Sequence, residues 1–135
     1  MDSGHLAKIP LFAGLTLDQR DLVAGACSEL EVEEGATLLE EGDFGYAMFA
    51  VPAGTADVLR DGVVVRTLGS GDVFGEIAVL SGGRRTATVV ARTSMCLVTV
   101  LNRDVWRLER EAPAVGAALR ARIAEHLEPA VPRNP

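Results

Sequence analysis

The sequence predicts a mainly β domain, a sandwich or barrel, with helices at both ends. Between Leu30 and Leu101 the chain breaks into short runs rich in Val, Leu, Thr and Phe, and glycines such as Gly35, Gly42, Gly54, Gly62 and Gly71 mark the turns between them. Short strands at near-regular spacing belong to antiparallel sandwiches and barrels, whereas a parallel α/β sheet needs helices between its strands. Before and after that segment, apolar residues recur at helical spacing instead. The 135 residues, 48% hydrophobic and 24% charged, suit one domain with one core and exclude a disordered chain.

In chain order, Thr16-Leu17-Asp18-Gln19 has the spacing of a capping box, Ser/Thr followed three residues later by Glu/Gln. It predicts a helix from Leu17 to Cys27 with Leu22, Val23 and Ala26 on the buried side. Strands are expected at Thr37–Glu40, Ala47–Val51, Thr55–Leu59, Val63–Leu68, Ala87–Ala91 and Met95–Val100. Asp61-Gly62, between apolar runs, predicts a tight hairpin turn. Pro52 removes a ladder donor, so an edge or a bulge is expected there. Asn102 is the expected cap of a helix through Val105, Trp106 and Leu108. Pro113 opens another helix, with Val115, Leu119, Ile123 and Leu127 forming an apolar stripe that needs a cover. The domain is thus expected over residues 1–128, with a helical front at 1–28, a barrel at 29–101 and C-terminal helices at 102–128. Residues 129–135, rich in proline, form a tail.

Several function classes are excluded by composition. A net charge of −6 argues against a general nucleic-acid or membrane-surface binder. No run of about 18 apolar residues is present to span a bilayer, and the first eight residues lack the pattern of a secretion signal, so a cytoplasmic location is expected. Cys27 and Cys96 imply no disulfide framework and are expected to be buried small apolar side chains. The two histidines, His5 and His126, stand at opposite ends outside the barrel, which argues against a metal centre or a metal enzyme on this fold. No nucleophile has a histidine partner that the sequence supports, so catalysis is not expected.

The charge is unevenly placed. Residues 1–83 carry 4 basic and 14 acidic side chains, residues 84–135 carry 9 and 5. The acidic run from Glu29 to Asp43 reads as a solvated face. The sign changes at Arg84-Arg85, next to the densest stretch of the chain, Phe74-Gly75-Glu76-Ile77-Ala78-Val79-Leu80-Ser81-Gly82-Gly83-Arg84-Arg85-Thr86-Ala87-Thr88-Val89. Gly75 allows close approach of backbone to a ligand, and the helix-compatible run after it would offer free N–H groups to an anion. Arg85 enters a strand, where a buried guanidinium calls for an anion and its planar donor fork matches phosphate. Glu76 is a carboxylate in an apolar segment that suits a sugar hydroxyl. On spacing alone, an internal Glu76–Arg85 salt bridge explains the same residues equally well.

This stretch resembles the phosphate-binding cassette of the cyclic nucleotide-binding domain family: Phe-Gly-Glu, apolar residues, a short loop, then Arg-Ser/Thr/Ala-Ala-Thr/Ser-Val. Glu34-Gly35, Glu41-Gly42-Asp43, Gly54, Gly71-Asp72-Val73-Phe74 and the opening Ile9-Pro10-Leu11-Phe12 are similar to the family as well, so the resemblance covers about residues 9 to 127. It implies a double-stranded β-helix (jelly-roll) barrel with an N-terminal helix, a short cassette helix and two C-terminal helices.

It also implies roles within the cassette. Arg85 would pair with the cyclic phosphate of cyclic AMP or cyclic GMP and Glu76 with the ribose 2′-hydroxyl. Backbone near Gly75, Ile77 and Ala78, together with Thr86, would complete the contacts, and Phe74, Arg84 and Ala87 are expected among the ligand-binding residues as well. The C-terminal helix would be a lid, with Arg120, Arg122, Ile123 and Leu127 as candidate residues over the base. Cyclic AMP is expected ahead of cyclic GMP, although Thr86 occurs in similar domains of both kinds. Arg84 stands where proline is frequent, and Ala50 where a larger residue is usual.

The function so implied is a regulatory sensor that relays binding to an effector protein or domain and uses no cofactor. The alternative is a domain of this fold that has lost its ligand and serves as a protein-interaction module. A homodimer formed through Val115, Leu119 and Ile123 is the alternative to lid closure for the apolar stripe. The Met1 start, close to the entry segment, is expected to be natural.

Overall fold

A computed structural model of the chain describes residues 3–80 and 83–127, with the backbone alone for Ser3, Ile77, Ala78, His126 and Leu127. The expected tail at 129–135, the loop residues Ser81 and Gly82, and the side chain of the candidate lid residue Leu127 lie outside what is described.

Three short helices open the chain, α1 (Ser3–Leu6), α2 (Pro10–Ala13) and α3 (Leu17–Ala24). Thr16 and Gln19 form the full capping box: the Gln19 amide donates to Thr16 Oγ1 at 3.2 Å and the Thr16 amide donates to Gln19 Oε1 at 2.9 Å. The helix ends three residues earlier than expected, and Leu22 is 51% exposed rather than buried. The reason is that Cys27 already belongs to a strand, so Gly25 closes the helix and Val23 and Ala24 carry its buried side.

Among the described residues eight strands follow: β1 (Cys27–Val32), β2 (Thr37–Leu39), β3 (Ala47–Ala53), β4 (Ala56–Arg60), β5 (Val63–Leu68), β6 (Val73–Phe74), β7 (Thr88–Ala91) and β8 (Met95–Leu101). They form two four-stranded sheets, β1-β8-β3-β6 and β2-β7-β4-β5, with antiparallel pairing throughout the register. The jelly-roll sandwich expected from the sequence is therefore present. The Asp61-Gly62 hairpin joins Arg60 to its partner Val63, and positive φ at both turn residues (52° and 78°) gives the type I′ geometry that matches strand twist. Pro52 falls where the β3–β8 register shifts between Ala50 and Ala53, the bulge its missing N–H requires.

The inner strands of the first sheet, β3 and β8, are buried on both faces. Along β3, Met48 and Ala50 belong to one apolar cluster while Phe49 and Val51 face the other; along β8, Val98 and Val100 oppose Leu97 in the same way. That is why these strands read as continuous apolar runs rather than alternating ones. One cluster fills the sandwich, with Leu39, Val58, Leu68, Phe74, Val89 and Leu97. The other lies between the first sheet and a helical layer made of the front helices, α5 (Asn102–Glu111) and α6 (Pro113–Leu127). A one-turn helix, α4 (Glu76–Leu80), follows β6 and packs on β3 and α6.

One expectation about the C-terminal helices is corrected and one is met. Asn102 does not cap α5 but is its first residue, because β8 runs into the helix without a loop and Leu101 takes the cap position. The Asn102 backbone donates instead to Tyr46 O at 2.9 Å. The apolar stripe of α6 is covered by the chain itself: Leu119 and Ile123 are fully buried and Val115 half-buried in the helical cluster. A dimer through that stripe would have to displace this packing.

Gly54 shows how tightly the sandwich end is closed. Its φ is +103°, and a Cβ there would lie 2.7 Å from Ser94 O and 2.9 Å from Met95 Cα. Backbone on the opposing side cannot give way as a side-chain tip would. Gly54→Ala is therefore expected to destabilise the fold by about 2–4 kcal/mol, measured as a lower denaturation midpoint in urea or a lower Tm.

Candidate functional site

The cassette joins both sheets through backbone hydrogen bonds. Phe44 and Arg84 form an antiparallel bridge. The Arg85 amide donates to Asp43 O at 2.6 Å, the Gly42 amide to Arg85 O at 3.0 Å and the Gly45 amide to Gly83 O at 3.0 Å. Residues 42–45 and 83–85 thus run side by side as a short ladder that carries Arg85 into the wall of the sandwich. The exposed Arg84 is held there too: its Nη1 donates to Gly42 O at 2.7 Å and its guanidinium lies 4.2 Å above the Phe44 ring.

Arg85 is 8% exposed. Its Nη2 donates to Ala47 O at 2.7 Å and its Nη1 to Gly75 O at 3.2 Å. Burial pushes the guanidinium below its ordinary pKa, opposed by the neighbouring Tyr46 and by the charge of Glu76. Glu76 is 5% exposed at the start of α4, so Glu76 and Arg85 are both buried while Arg84 is exposed. Arg85 lines a cavity of about 270 Å³ whose other walls are Thr37–Glu40 of β2 and its exit, the loop residues Asp43, Phe44 and Tyr46, and Ala47 and Phe49 of β3.

The remaining cassette residues support this arrangement. Phe74 is buried and stacks on Phe49 with ring centroids 5.1 Å apart. Ala87 is buried beneath the second sheet, and Thr86 is exposed. Gly75 is required twice: its φ is +78°, and a Cβ would lie 2.8 Å from Arg85 Nη1 and 3.1 Å from Ala47 O. The side chains of Ile77 and Ala78 are outside the description, while their backbone forms α4.

The candidate lid residues sit elsewhere. Arg120 makes a two-pronged ion pair with Glu109 of α5, at 2.6 and 3.1 Å, and reaches Leu80 O at the end of α4 at 3.5 Å. Arg122 donates to Leu11 O at 3.3 Å and Pro10 O at 3.4 Å, and pairs with Glu125 at 3.0 Å. Ile123 is fully buried in the helical cluster. Among the described residues of α6, none lines the Arg85 cavity.

Sequence reasoning missed the aromatic wall, Phe44, Tyr46 and Phe49, and the Glu109–Arg120 pair. A signal for the first was present: the chain has one Trp, one Tyr and four Phe, and Phe44 and Tyr46 flank Gly45 in an otherwise polar loop. The cysteines are both free; burial pushes the Cys27 thiol up to about 12, whereas Cys96 is half-buried rather than buried as expected. Among the described residues no three His, Cys, Asp or Glu side chains converge as a metal site needs, and no helix is long and apolar enough to cross a membrane.

The domain is a jelly-roll sandwich with a helical layer on one sheet and a buried arginine in the wall of a small cavity. The sequence profile of the Cyclic nucleotide-binding domain matches residues 29–110, and the chain belongs to that family.

Over 102 residues it is 37% identical to a cAMP-dependent protein kinase regulatory subunit of Yarrowia lipolytica, covering 74% of this chain and 27% of that one. Over 126 residues it is 32% identical to the Cyclic AMP receptor protein of Thermus thermophilus, covering 90% of this chain and 58% of that protein. The chain thus spans about a quarter of the kinase subunit and little more than half of the receptor. In structure it is similar to the N-terminal domain of a transcriptional regulator from Streptomyces coelicolor, with a TM-score of 0.79 at 30% identity, covering 91% of this chain and 90% of that one.

Two outcomes follow from the geometry. Gly75→Ala is expected to lower stability by about 1–3 kcal/mol, since it adds left-handed strain and crowds Arg85, and thermal denaturation measures it. Glu109 is held below its ordinary pKa by the hydrogen bond from Arg120. Its stabilising contribution is therefore complete above the usual glutamate range and is lost as pH falls through the lowered value. Glu109→Gln should flatten the fall of Tm with acid relative to wild type.

Proposed function

We propose that this domain is a regulatory sensor that binds a cyclic purine nucleotide, cyclic AMP ahead of cyclic GMP, and acts by binding rather than by catalysis. The observation that carries the reading is Arg85: a buried guanidinium in a cavity wall, anchored on the carbonyls of Ala47 and Gly75. A guanidinium has five N–H donors, so these two bonds leave capacity for a phosphate. An anion would also relieve the burial that depresses the arginine. Glu76 and Thr86 are the proposed partners of the ribose and phosphate, with backbone at Gly75, Ile77 and Ala78 completing them. The names of the kinase regulatory subunit and the receptor protein support cyclic AMP.

The proposed relay runs from α4 into the helical layer. Arg120 touches the end of α4 and grips α5, so a shift of the cassette helix is transmitted to α6 by direct contact. Lid closure by α6, with Arg120, Arg122, Ile123 and Leu127 as the residues that would move, requires breaking the bonds of Arg122 to α2. The proposed recipient of the signal is an effector protein or domain.

Isothermal titration with cyclic AMP and cyclic GMP side by side tests the reading. Wild type is expected to bind, and Arg85→Ala to lose about 2–5 kcal/mol of binding free energy, as when one member of a buried charge pair is removed. Equal affinity of wild type and variant would refute the role of Arg85. No heat with either nucleotide would favour a ligand-free interaction module.

A further inference from the structure

We infer that a groove between the start of β3 and the start of α5 docks an acidic peptide segment of a partner protein that carries one large apolar side chain. The groove, about 360 Å³, is lined by Gly45, Tyr46, Leu101, Asn102, Arg103 and Trp106. It shares only Tyr46 with the Arg85 cavity. The one tyrosine and the one tryptophan of the chain meet there, 71% and 45% exposed. Tyr, Trp and Arg carry much of the energy of protein interfaces, because each joins a broad apolar body to a polar or charged tip. The floor of the groove is set by backbone: Leu101 pairs with Ala47 across the sheet, and the Asn102 amide donates to Tyr46 O at 2.9 Å. Its walls therefore stand in place before a partner arrives, which lowers the cost of binding.

Charge selects the occupant. α5 buries Asn102, Val105 and Leu108, which leaves Arg103, Trp106, Arg107 and Arg110 exposed along the opposite face at spacings of three and four. Arg107 pairs with Asp104 at 3.4 Å, and among the described residues neither Arg103 nor Arg110 has a carboxylate partner. In a chain of net charge −6 this arginine face is a local exception. Carboxylates of a peptide match the arginines, while an aromatic or aliphatic side chain fills the trough between Tyr46 and Trp106. A nucleic acid or an anionic lipid surface spreads its charge widely and would also meet the acidic remainder of the domain.

Trp106 is the only tryptophan, so its fluorescence reports on the groove directly. The probes are three short peptides: acidic Glu-Asp-Glu-Phe-Asp-Glu, the same peptide with Ser for Phe, and a basic counterpart with Lys at every acidic position. The acidic Phe peptide is expected to give a saturable blue shift with wild type, and the other two to bind at least about ten-fold more weakly. Charge reversal, Arg103→Glu with Arg110→Glu, should weaken the acidic Phe peptide about ten-fold and tighten the basic one. Both arginines are exposed, so Tm should be unchanged. No saturable shift at millimolar acidic Phe peptide overturns the proposal, as does equal binding of the basic peptide or indifference to the charge reversal. Tighter binding of a single-stranded oligonucleotide or of phosphatidylserine vesicles overturns it in favour of a polyanion. A shift that grows with protein concentration alone overturns it in favour of a second copy of the chain. No cyclic nucleotide is added, so these outcomes stand apart from the nucleotide reading.

Discussion

A guanidinium sunk in a sandwich wall must be surrounded by acceptors, and Arg85 meets that condition by bonding the carbonyls of Ala47 and Gly75. Ala47 begins the central strand of the first sheet and Gly75 is the hinge between β6 and α4. One side chain therefore fixes three segments relative to one another. The left-handed backbone of Gly75, the buried Glu76 and the ladder between residues 42–45 and 83–85 lie around that cation. The same cation gives the cavity its chemistry.

The helical layer is organised by a different principle, close packing. A Cβ on Gly116 would come within 2.5 Å of Glu109 Cα, so α5 and α6 cross at backbone contact, and the Arg120–Glu109 pair clamps the crossing. This makes the two helices one arm. It meets the cassette at Leu80 and the front helices at Pro10 and Leu11.

Much of this was legible in the sequence where a residue type has few structural options. Asp61-Gly62, Pro52, the Thr16/Gln19 box and the Val63–Leu68 strand stand as expected because turn chemistry, a missing donor, a cap and a hairpin partner are local. The buried charges Glu76 and Arg85 were legible for the same reason. β1 was missed because it is an edge strand whose Glu29, Leu30 and Glu31 all face solvent, which erases the alternation that marks a strand. Leu22 and Asn102 were misjudged because neighbouring strands, not helix periodicity, decide their surroundings. The aromatic wall depends on residues brought together from a loop and a strand, and the α6 packing depends on helices over a hundred residues away.

The two-faced sheet bounds how far the helical arm can travel. Met48, Ala50, Val98 and Val100 form its dry underside, and β3 and β8 cannot turn these side chains inward because the alternate residues already fill the sandwich. Lifting the arm would wet that surface at about 25 cal/mol for each Å² uncovered.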